Sequence, residues 1–224
     1  MAKIERTQYG TRTLVDIAAK KVEDWDTSGA TNIRVSLPSD METMLLMQKK
    51  GFQFADRMLQ VTISLSKECV DYKKLIRIQP MCISDRKEEV TKIAQSSFVR
   101  DRRFHVAVAY NQEIANPIIA DWVEKLEDFY VCTYQERLIG FLALKESEDG
   151  KAARIHLAAV DERYRMTGAA LSLYAHAVLE GKRLGYRQIE GTISCSNVSV
   201  LNLYSFLGGT FSNPTDIYLK EVSK

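Results

Sequence analysis

Hydrophobic and polar positions alternate in a pattern that divides the chain from about Gln79 onward into regular elements. Three apolar stretches, "FYVCTY", "RLIGFLALKE" and "AARIHLAAV", are separated by "QE" and by the turn "SEDGK". Apolar runs that end at polar turn residues predict strands. Two later stretches, "RQIEGTIS" and "DIYLKEV", predict two more strands nearer the C-terminal end.

Helical spacing of apolar residues predicts four helices in the same region. The first opens at a capping box formed by Asp85 and Glu88, and the second covers "IIADWVEKLED" after an Asn-Pro turn. The third follows "RYRMTG" and ends near Gly185, and the fourth covers "SVLNLYSFLG". Helices and strands in this mixed order predict an α/β fold with a mixed central sheet flanked by helices.

The N-terminal part of the chain contains a shorter version of the same pattern. "NIRVSLPSDMETMLLMQKKGFQFADRMLQVTISL" gives a strand, a helix that opens at Asp40, a glycine at Gly51 and a final strand. The C-terminal segment gives the same series, with Asn197 and Gly208 at the same interval. We interpret this as a weak internal repeat, although any strand–helix–strand unit with a glycine stop would look similar. The expected domains are 1–75 and 76–224.

Composition narrows the class of protein. The 224 residues are 46% hydrophobic, which is enough for one large core or two small ones. The 31 Lys and Arg residues nearly balance the 29 Asp and Glu residues, which argues against a dedicated nucleic-acid binder. No apolar run approaches the roughly 18 residues of a membrane span, and the N-terminal residues have no apolar signal core, so a cytoplasmic protein is expected.

The four cysteines are not spaced as metal ligands or as a redox motif. Cys69, Cys82, Cys132 and Cys195 lie far apart, and no two of them form a C-x-x-C pair. In an intracellular chain this spacing favours free thiols. No metal site is expected.

The stretch "RYRMTGAAL" carries the first candidate chemistry. It lies between the strand "IHLAAV" and an amphipathic helix, and a helix N-terminus offers unpaired N–H groups and a positive dipole end to a phosphate. Gly168 lets a ligand approach the backbone closely, and Arg163 and Arg165 add positive charge. The sequence lacks G-x-G-x-x-G and GK[ST], which excludes a Rossmann fingerprint and a Walker loop.

Two motifs together resemble the GCN5-related N-acetyltransferase (GNAT) superfamily. Arg165, Gly168 and Ala170 match the R/Q-x-x-G-x-G/A element of that superfamily, which wraps the pyrophosphate of acetyl-coenzyme A (acetyl-CoA). About 30 residues on, "NVSVLNLYSFLGG" is similar to the superfamily helix N-x-x-A-x-x-L-Y-x-x-x-G-F, with Val200 in place of Ala and Gly209 in place of Phe. The resemblance implies a GNAT fold and acetyl-CoA as co-substrate. It also implies that the N-terminal segment is a partial GNAT-like half-domain.

The resemblance assigns roles to individual residues. Tyr204 is implied as the general acid that protonates the departing thiolate; the alternative is a half-buried structural tyrosine. Met47 stands at the equivalent place of the N-terminal copy, which therefore is expected to bind no coenzyme. The residues implied in coenzyme binding are Leu157, Ala158, Ala159, Val160, Arg163, Arg165, Met166, Thr167, Gly168, Ala169, Ala170 and Asn197.

The general base is left open by the sequence. His105 lies in a basic segment and His156 lies on the strand next to the coenzyme, so both are candidates. His176 is expected to be solvated or packed. A nucleophilic role for Cys195 is chemically possible, but direct transfer to an amine does not need one.

The chain from about Thr31 to Lys220 resembles the dTDP-fucosamine acetyltransferases within the superfamily. That resemblance implies acetyl transfer to an amino group of a nucleotide-linked amino-deoxy sugar in polysaccharide biosynthesis. Rival interpretations are a peptide or small-molecule amine acceptor and a coenzyme-binding regulator without catalysis; a homodimer is compatible with the sequence. The residues expected to contact the diphosphate, base or sugar, unless they form only a solvated basic loop, are Arg100, Arg102, Arg103, His105 and Tyr110.

Overall fold

The computed structural model describes residues 3–9, 12–18, 25, 27–66, 81–82, 86–106, 109–110, 112–126, 129–147 and 149–222. Within these ranges the strands are β1 (Lys3–Tyr9), β2 (Arg12–Ala18), β3 (Asn32–Pro38), β4 (Gln53–Ser64), β5 (Met81–Cys82), β6 (His105–Val106), β7 (Ala109–Tyr110), β8 (Tyr130–Tyr134), β9 (Arg137–Glu146), β10 (Ala152–Val160), β11 (Gln188–Ser194) and β12 (Thr210–Glu221). The α-helices are α1 (Met41–Lys49), α2 (Lys87–Ser97), α3 (Gln112–Glu124), α4 (Ala169–Arg183) and α5 (Val198–Phe206). Short 3₁₀ helices cover Phe98–Arg100, Arg102–Phe104 and Glu162–Thr167.

Most strands of the described chain form one mixed sheet. Its order is β1-β2-β3-β12-β4-β11-β10-β9-β8-β5, and β6 pairs separately with β7. Neighbours are antiparallel except for the pairs β2–β3 and β10–β11, which are parallel. This arrangement confirms the α/β fold with a mixed central sheet flanked by helices.

The sheet is built around two interlocked strand–helix–strand units. One unit is β3-α1-β4 and the other is β11-α5-β12. The two strands of each unit are parallel, and a strand of the other unit is inserted between them. Thus β12 lies between β3 and β4, and β4 lies between β12 and β11. The N-terminal segment and the rest of the chain therefore share one hydrogen-bonded sheet.

The two units begin and end their helices in the same way, as the sequence repeat predicts. The side chain of Asp40 accepts a hydrogen bond from the backbone of Thr43, and that of Asn197 accepts one from Val200. Both helices are followed by a glycine with positive φ, Gly51 at 75° and Gly208 at 81°. A side-chain cap and a left-handed glycine thus delimit each helix.

Helices cover the two faces of the sheet and create separate cores. Apolar residues of α4 and α5 pack with β4, β10 and β11, and those of α2 and α3 pack on the opposite face against β8, β9 and β10. Met47 of α1 packs with β2, β3 and Tyr218 of β12 in a third cluster. β10 contributes to both cores, with Ile155 in the first and Leu157 in the second. Residues two apart share a face on a regular strand, so the register shift between Ile155 and Leu157 is what moves Leu157 to the opposite face.

The structure corrects one helix start. The sequence predicts a turn at Asn116 and Pro117, whereas α3 begins at Gln112 and contains Pro117 in its interior. The proline removes one helical hydrogen bond. The buried face formed by Ile114, Ile118 and neighbouring residues extends through it, so tertiary packing outweighs the local preference.

Other boundaries also differ from the sequence expectation. The N-cap of α2 is Arg86, with no side-chain cap bond, and the predicted cap Asp85 lies outside the described residues. The closing strand begins at Thr210 instead of Asp216, because its first part pairs with Thr62 and its neighbours on β4. The sequence did not predict the hairpin β1–β2. No helix in the described ranges is long and apolar enough to span a membrane.

We expect the interlocked units to make residues 76–224 unable to fold alone. A chain truncated to that range loses β4, so β11 and β12 lose the strand that joins them, and the buried side chains of Val61 and Ile63 are removed from the core. Near-ultraviolet circular dichroism should be lost and thermal unfolding should not be cooperative. A chain beginning at residue 11 loses only the edge strand β1 and should keep both signals; a cooperative transition in the shorter chain would contradict the expectation.

Candidate active site

The parallel strands β10 and β11 part after a short paired section. Their ladder runs from Ala152–Gln188 to Arg154–Glu190 and goes no further, although β10 continues to Val160. A β-bulge between Ile155 and Leu157 leaves His156 as an extra residue of β10 at the same place. Beyond this point, Leu157, Ala158, Ala159 and Val160 pair with β9 on one side only and present their other backbone edge to the gap.

The gap opens toward the turn that the sequence identified as a phosphate cradle. A 3₁₀ helix covers Glu162–Thr167, Gly168 takes a left-handed conformation with φ of 85°, and α4 begins at Ala169 without a side-chain cap. A Cβ atom built on Gly168 would meet nothing within 4 Å, so the glycine faces open space. The first N–H groups of α4 and the positive end of its dipole are thus free to receive an anion.

The two arginines of the turn differ in availability. The Nε of Arg163 donates to Asp161 at 3.0 Å, and this contact, with others to Arg163, lowers the pKa of Asp161. The charge of Arg163 is therefore matched within the protein. Arg165 lies 3.7 Å from Glu162 in an exposed pair, and Met166 is almost fully exposed beside it. The backbone of α4 and Arg165 are the better anion donors.

The side chain of Tyr204 packs against Gly191 of β11. Its side chain is only 2% exposed, and a Cβ atom built on Gly191 would lie 2.5 Å from its hydroxyl oxygen. The ring meets that of Tyr174 edge-on at 5.2 Å, and the two hydroxyl groups are hydrogen-bonded. Burial, with Tyr174 beside it, raises the pKa of Tyr204 well above its usual value, so the phenol stays protonated.

Asn197 and Ala169 lie at the N-termini of the two helices nearest the gap. The side-chain oxygen of Asn197 caps α5 by accepting from Val200 at 3.3 Å, which leaves its amide nitrogen without a bond to the described residues. Ala169 is buried at the start of α4 and Ala170 is partly buried. Thr167 is exposed, and its hydroxyl donates to the carbonyl of Tyr164.

Two of the residues expected to contact the acceptor, Arg102 and Arg103, lie in one 3₁₀ helix. Arg103 lines a cavity of about 180 Å³ together with Asn32 and Arg34, but its guanidinium is already bonded to Asp101 at 2.9 Å and lies 5.5 Å from the ring of Trp122. Arg102 is exposed in the same 3₁₀ helix.

The remaining expected acceptor residues occupy short elements near Arg103. The backbone of Arg100 belongs to the 3₁₀ helix Phe98–Arg100, and His105 pairs with Tyr110 across the small β6–β7 sheet. These residues are grouped by their closeness in the chain, and Arg103 among them lines a cavity.

The candidate bases fall into different environments. Burial, with Lys145 and Arg154 nearby, lowers the pKa of His156, which keeps its ring neutral at the gap. His176 lies on α4, and its ring centroid is 4.6 Å from that of Tyr130. Burial lowers the pKa of His176 too. Burial raises the pKa of the Cys195 thiol, which disfavours a nucleophilic thiolate.

Two cysteines of the described chain are free thiols. Cys132 is buried and Cys195 is partly buried, and neither forms a disulfide. No cluster of three His, Cys, Asp or Glu side chains in the described ranges is placed to hold a metal ion.

Sequence reasoning missed a polar cavity where β10 and β11 part. It has a volume of about 240 Å³ and is open to solvent. Its lining comes from four strands, which no local motif connects. The lining residues are Met58, Gln60, Arg154, Gly191, Thr192, Asn213 and Thr215.

A mixed sheet whose parallel strands part beside a glycine turn and a helix N-terminus is the arrangement expected of an acetyltransferase of the superfamily that the two motifs resemble. Residues 88–208 match the model of the acetyltransferase (GNAT) family, more than half of the chain, and the chain belongs to that family. It is an acetyltransferase, and the GNAT fold generally binds acetyl-CoA. A search of the curated proteins finds no match to this chain.

Solved structures with the same fold are similar at low sequence identity. A GCN5-related N-acetyltransferase from Sphaerobacter thermophilus has 14% identity and a TM-score of 0.63, covering 100% of this chain and 76% of its own. A functionally unknown conserved protein from Staphylococcus epidermidis has 13% identity and a TM-score of 0.66, covering 96% and 87%. A fungal glucosamine N-acetyltransferase region within a larger β-N-acetylglucosaminidase has 13% identity and a TM-score of 0.69, covering 97% and 31%. At these identities the likeness establishes the fold.

Replacement of Gly168 by valine should abolish acetyl-CoA binding measured by calorimetry. The new side chain would enter the open space at the start of α4, and the positive φ adds strain of about 1–2 kcal/mol. Gly185→Val is a matched control, because Gly185 at the other end of α4 has φ of 83° and also has nothing within 4 Å. Both variants should lose similar stability, and equal loss of binding in the control would refute the cradle.

Proposed function

We propose that this acetyltransferase transfers the acetyl group of acetyl-CoA directly to the amino group of a nucleotide-linked amino-deoxy sugar. The observation that carries the proposal is the polar cavity where β10 and β11 part. Its side chains include Gln60, Thr192, Asn213 and Thr215, which offer hydrogen-bond donors and acceptors to a hydroxyl-rich acceptor. The fungal structural neighbour named for glucosamine acetylation is consistent with this class of acceptor.

The second cavity supplies a place for the rest of a larger acceptor. It combines apolar walls from Leu14, Phe104 and Ile114 with polar groups, and the buried amide nitrogen of Asn32 has no protein partner in the described ranges. Buried polar groups usually carry a hydrogen bond, so this amide favours a ligand that accepts one. Arg103 is held by Asp101 and therefore acts more as a fixed wall of this cavity than as a free cation.

The coenzyme would lie along the unpaired edge of β10. Its pyrophosphate fits the start of α4 at Gly168, with Arg165 at the side, and the arm would run past Val160 to Leu157 toward His156. Acetyl-CoA supplies the acetyl group as a thioester with a thiolate leaving group. Backbone N–H groups of β10 are the donors available for the developing charge on the carbonyl oxygen.

Tyr204 is the proposed proton donor to the departing thiolate. Its hydroxyl lies against Gly191, and Gly191 also lines the polar cavity on the other face of β11, so this one residue separates the acid from the proposed acceptor site. The raised pKa keeps this phenol protonated. Burial raises the pKa of the neighbouring Tyr174 to about 12, so Tyr174 also stays protonated beside it.

The N-terminal unit is proposed to stabilise the fold without binding coenzyme. Met47 stands where Tyr204 stands in the other unit and is fully buried among apolar residues. The partner strand β12 fills the space between β3 and β4, which leaves no gap like the one beside β10 in this part of the described chain.

Tyr204→Phe should reduce kcat about 10²- to 10⁴-fold with little change in acetyl-CoA affinity, because only the proton transfer is lost. Tyr174→Phe is the matched control, since it breaks the same hydrogen bond but keeps the acid. If the bond between the tyrosines matters only for packing, the two variants will have equal kcat. In the unmodified enzyme, the raised pKa of Tyr204 should keep the rate from falling with alkaline pH until above about pH 10.

A thiol-release assay with acetyl-CoA should detect transfer to amino sugars. We expect turnover with dTDP- or UDP-linked amino sugars in preference to free glucosamine and N-terminal peptides. Turnover with peptides alone would overturn the sugar assignment. Intact acetyl-CoA binding without transfer to any member of the panel would favour a regulatory protein.

A further inference from the structure

A carboxylate that no sequence motif marked lies at the point where β10 and β11 part. Glu190 is paired in register with Arg154 on the last rung of their ladder. Its Oε2 accepts from Arg154 at 2.9 Å and its Oε1 accepts from Gln188 at 2.8 Å. The side chain of Glu190 is 13% exposed, which leaves a small open edge.

This carboxylate adjoins the polar cavity on the face opposite Tyr204. A side chain on Gly191 would point at the Tyr204 hydroxyl. Because side chains alternate along a strand, those of Glu190 and Thr192 project to the other face. Arg154, Gly191 and Thr192 line the cavity. Arg154 is paired with Glu190, Gly191 follows Glu190 in the chain, and Thr192 is the next residue on the same face of β11.

We propose that Glu190 binds the ammonium form of the acceptor and takes its proton, with Arg154 as the positioning residue. This inference rests on the proposed direct transfer to an amine. It adds the base that the sequence left open, and it places base and acid on opposite faces of one strand.

The proton balance is complete with these two side chains. The ammonium gives one proton to Glu190, and the freed lone pair forms the N–C bond to the thioester carbonyl carbon. The C–S bond breaks, and the thiolate takes a proton from Tyr204. The nitrogen releases a second proton, which restores Tyr204 by way of solvent, and keeps one as the amide N–H. Glu190 then gives its proton to solvent, so one proton is released overall.

The charged groups around Glu190 suit this role. Arg154 faces it from β10, and Lys145 lies next to Arg154 in the register of β9. Thr62, which is uncharged, lies opposite on β4. The ion pair with Arg154 is partly exposed, so it positions the carboxylate and does not bury its charge. His156, the competing base, lies two residues beyond Arg154 at the bulge.

Glu190→Gln tests the inference, because it keeps the shape and loses the proton acceptor. Glu180→Gln is the matched control: that glutamate is 14% exposed, is paired with an arginine, and lies on α4. The measured quantity is kcat/KM from mildly acidic to alkaline pH, with D-glucosamine and the dTDP- and UDP-amino sugars of the panel as acceptors.

The expected signature is a loss that depends on pH. At neutral pH Glu190→Gln should lose about 10²- to 10⁴-fold in kcat/KM. The loss should shrink about tenfold for each pH unit toward the pKa of the acceptor amine, because the fraction of free amine grows by that factor. Glu190→Asp should recover part of the rate at neutral pH, and Glu180→Gln should match the unmodified enzyme.

Other outcomes overturn the inference. A loss that is equal at every pH would indicate a structural role for Glu190, and a pH-dependent loss in His156→Gln instead would assign the base to His156. Acetyl-CoA affinity, measured by calorimetry, should be unchanged in Glu190→Gln. If the enzyme acetylates only peptides, the sugar assignment fails, while Glu190 is tested with the peptide amine in the same way.

Discussion

The parting of β10 and β11 is the feature on which the rest of the site depends. Parallel strands normally continue their ladder, but here the pairing ends at Arg154–Glu190 and a bulge at His156 turns β10 away. The exposed backbone edge of β10, the approach to Gly168 and the polar cavity all follow from that separation. If β10 and β11 stayed paired, the backbone edge of β10 from Leu157 to Val160 would be covered and the proposed coenzyme would have no strand edge to lie along.

The interlocked units explain why the strands can part without loss of the sheet. β11 is held on its other side by β4 along its whole length, and β4 is held in turn by β12. β10 is held by β9 and packed by helices on both faces. Each strand at the gap is therefore anchored from behind. The N-terminal segment contributes β4, so it supports the candidate site from behind.

Some arginines near the candidate site are paired with aspartates inside the protein, whereas others remain available to a ligand. Arg163 and Arg103 each lie beside an aspartate, which fixes the side chain and cancels much of its charge. Arg165 has a weaker and more exposed partner. An arginine count in the sequence overstates the positive charge offered to a ligand, because it cannot identify the arginines that are already paired.

Local signals made much of the fold predictable. Strands β8 to β11 and helices α4 and α5 have regular apolar periodicity and clear stops at Gly185 and Gly208, and all of them lie where the sequence places them to within a few residues. The predicted start of α3 was wrong because Pro117 is a strong local helix breaker. The buried face of α3 that outweighs this preference depends on contacts with β9 and α2. The hairpin β1–β2 gave little periodic signal, because residues 4–8 of β1 are exposed and the buried residues of β2 include the consecutive pair Leu14 and Val15 instead of a strict alternation.

The sequence by itself determined the chemistry of two motifs: a glycine turn before a helix, and a helix with Asn197 and Tyr204 at fixed spacing. These depend on residues close in the chain, whose geometry a helix or turn imposes. Only the tertiary structure decided that Tyr204 meets Gly191, that Arg103 is matched by Asp101, and that Glu190 lies beside a cavity. Those relations join residues from several strands, and sheet order and register, which no local pattern specifies, bring them together.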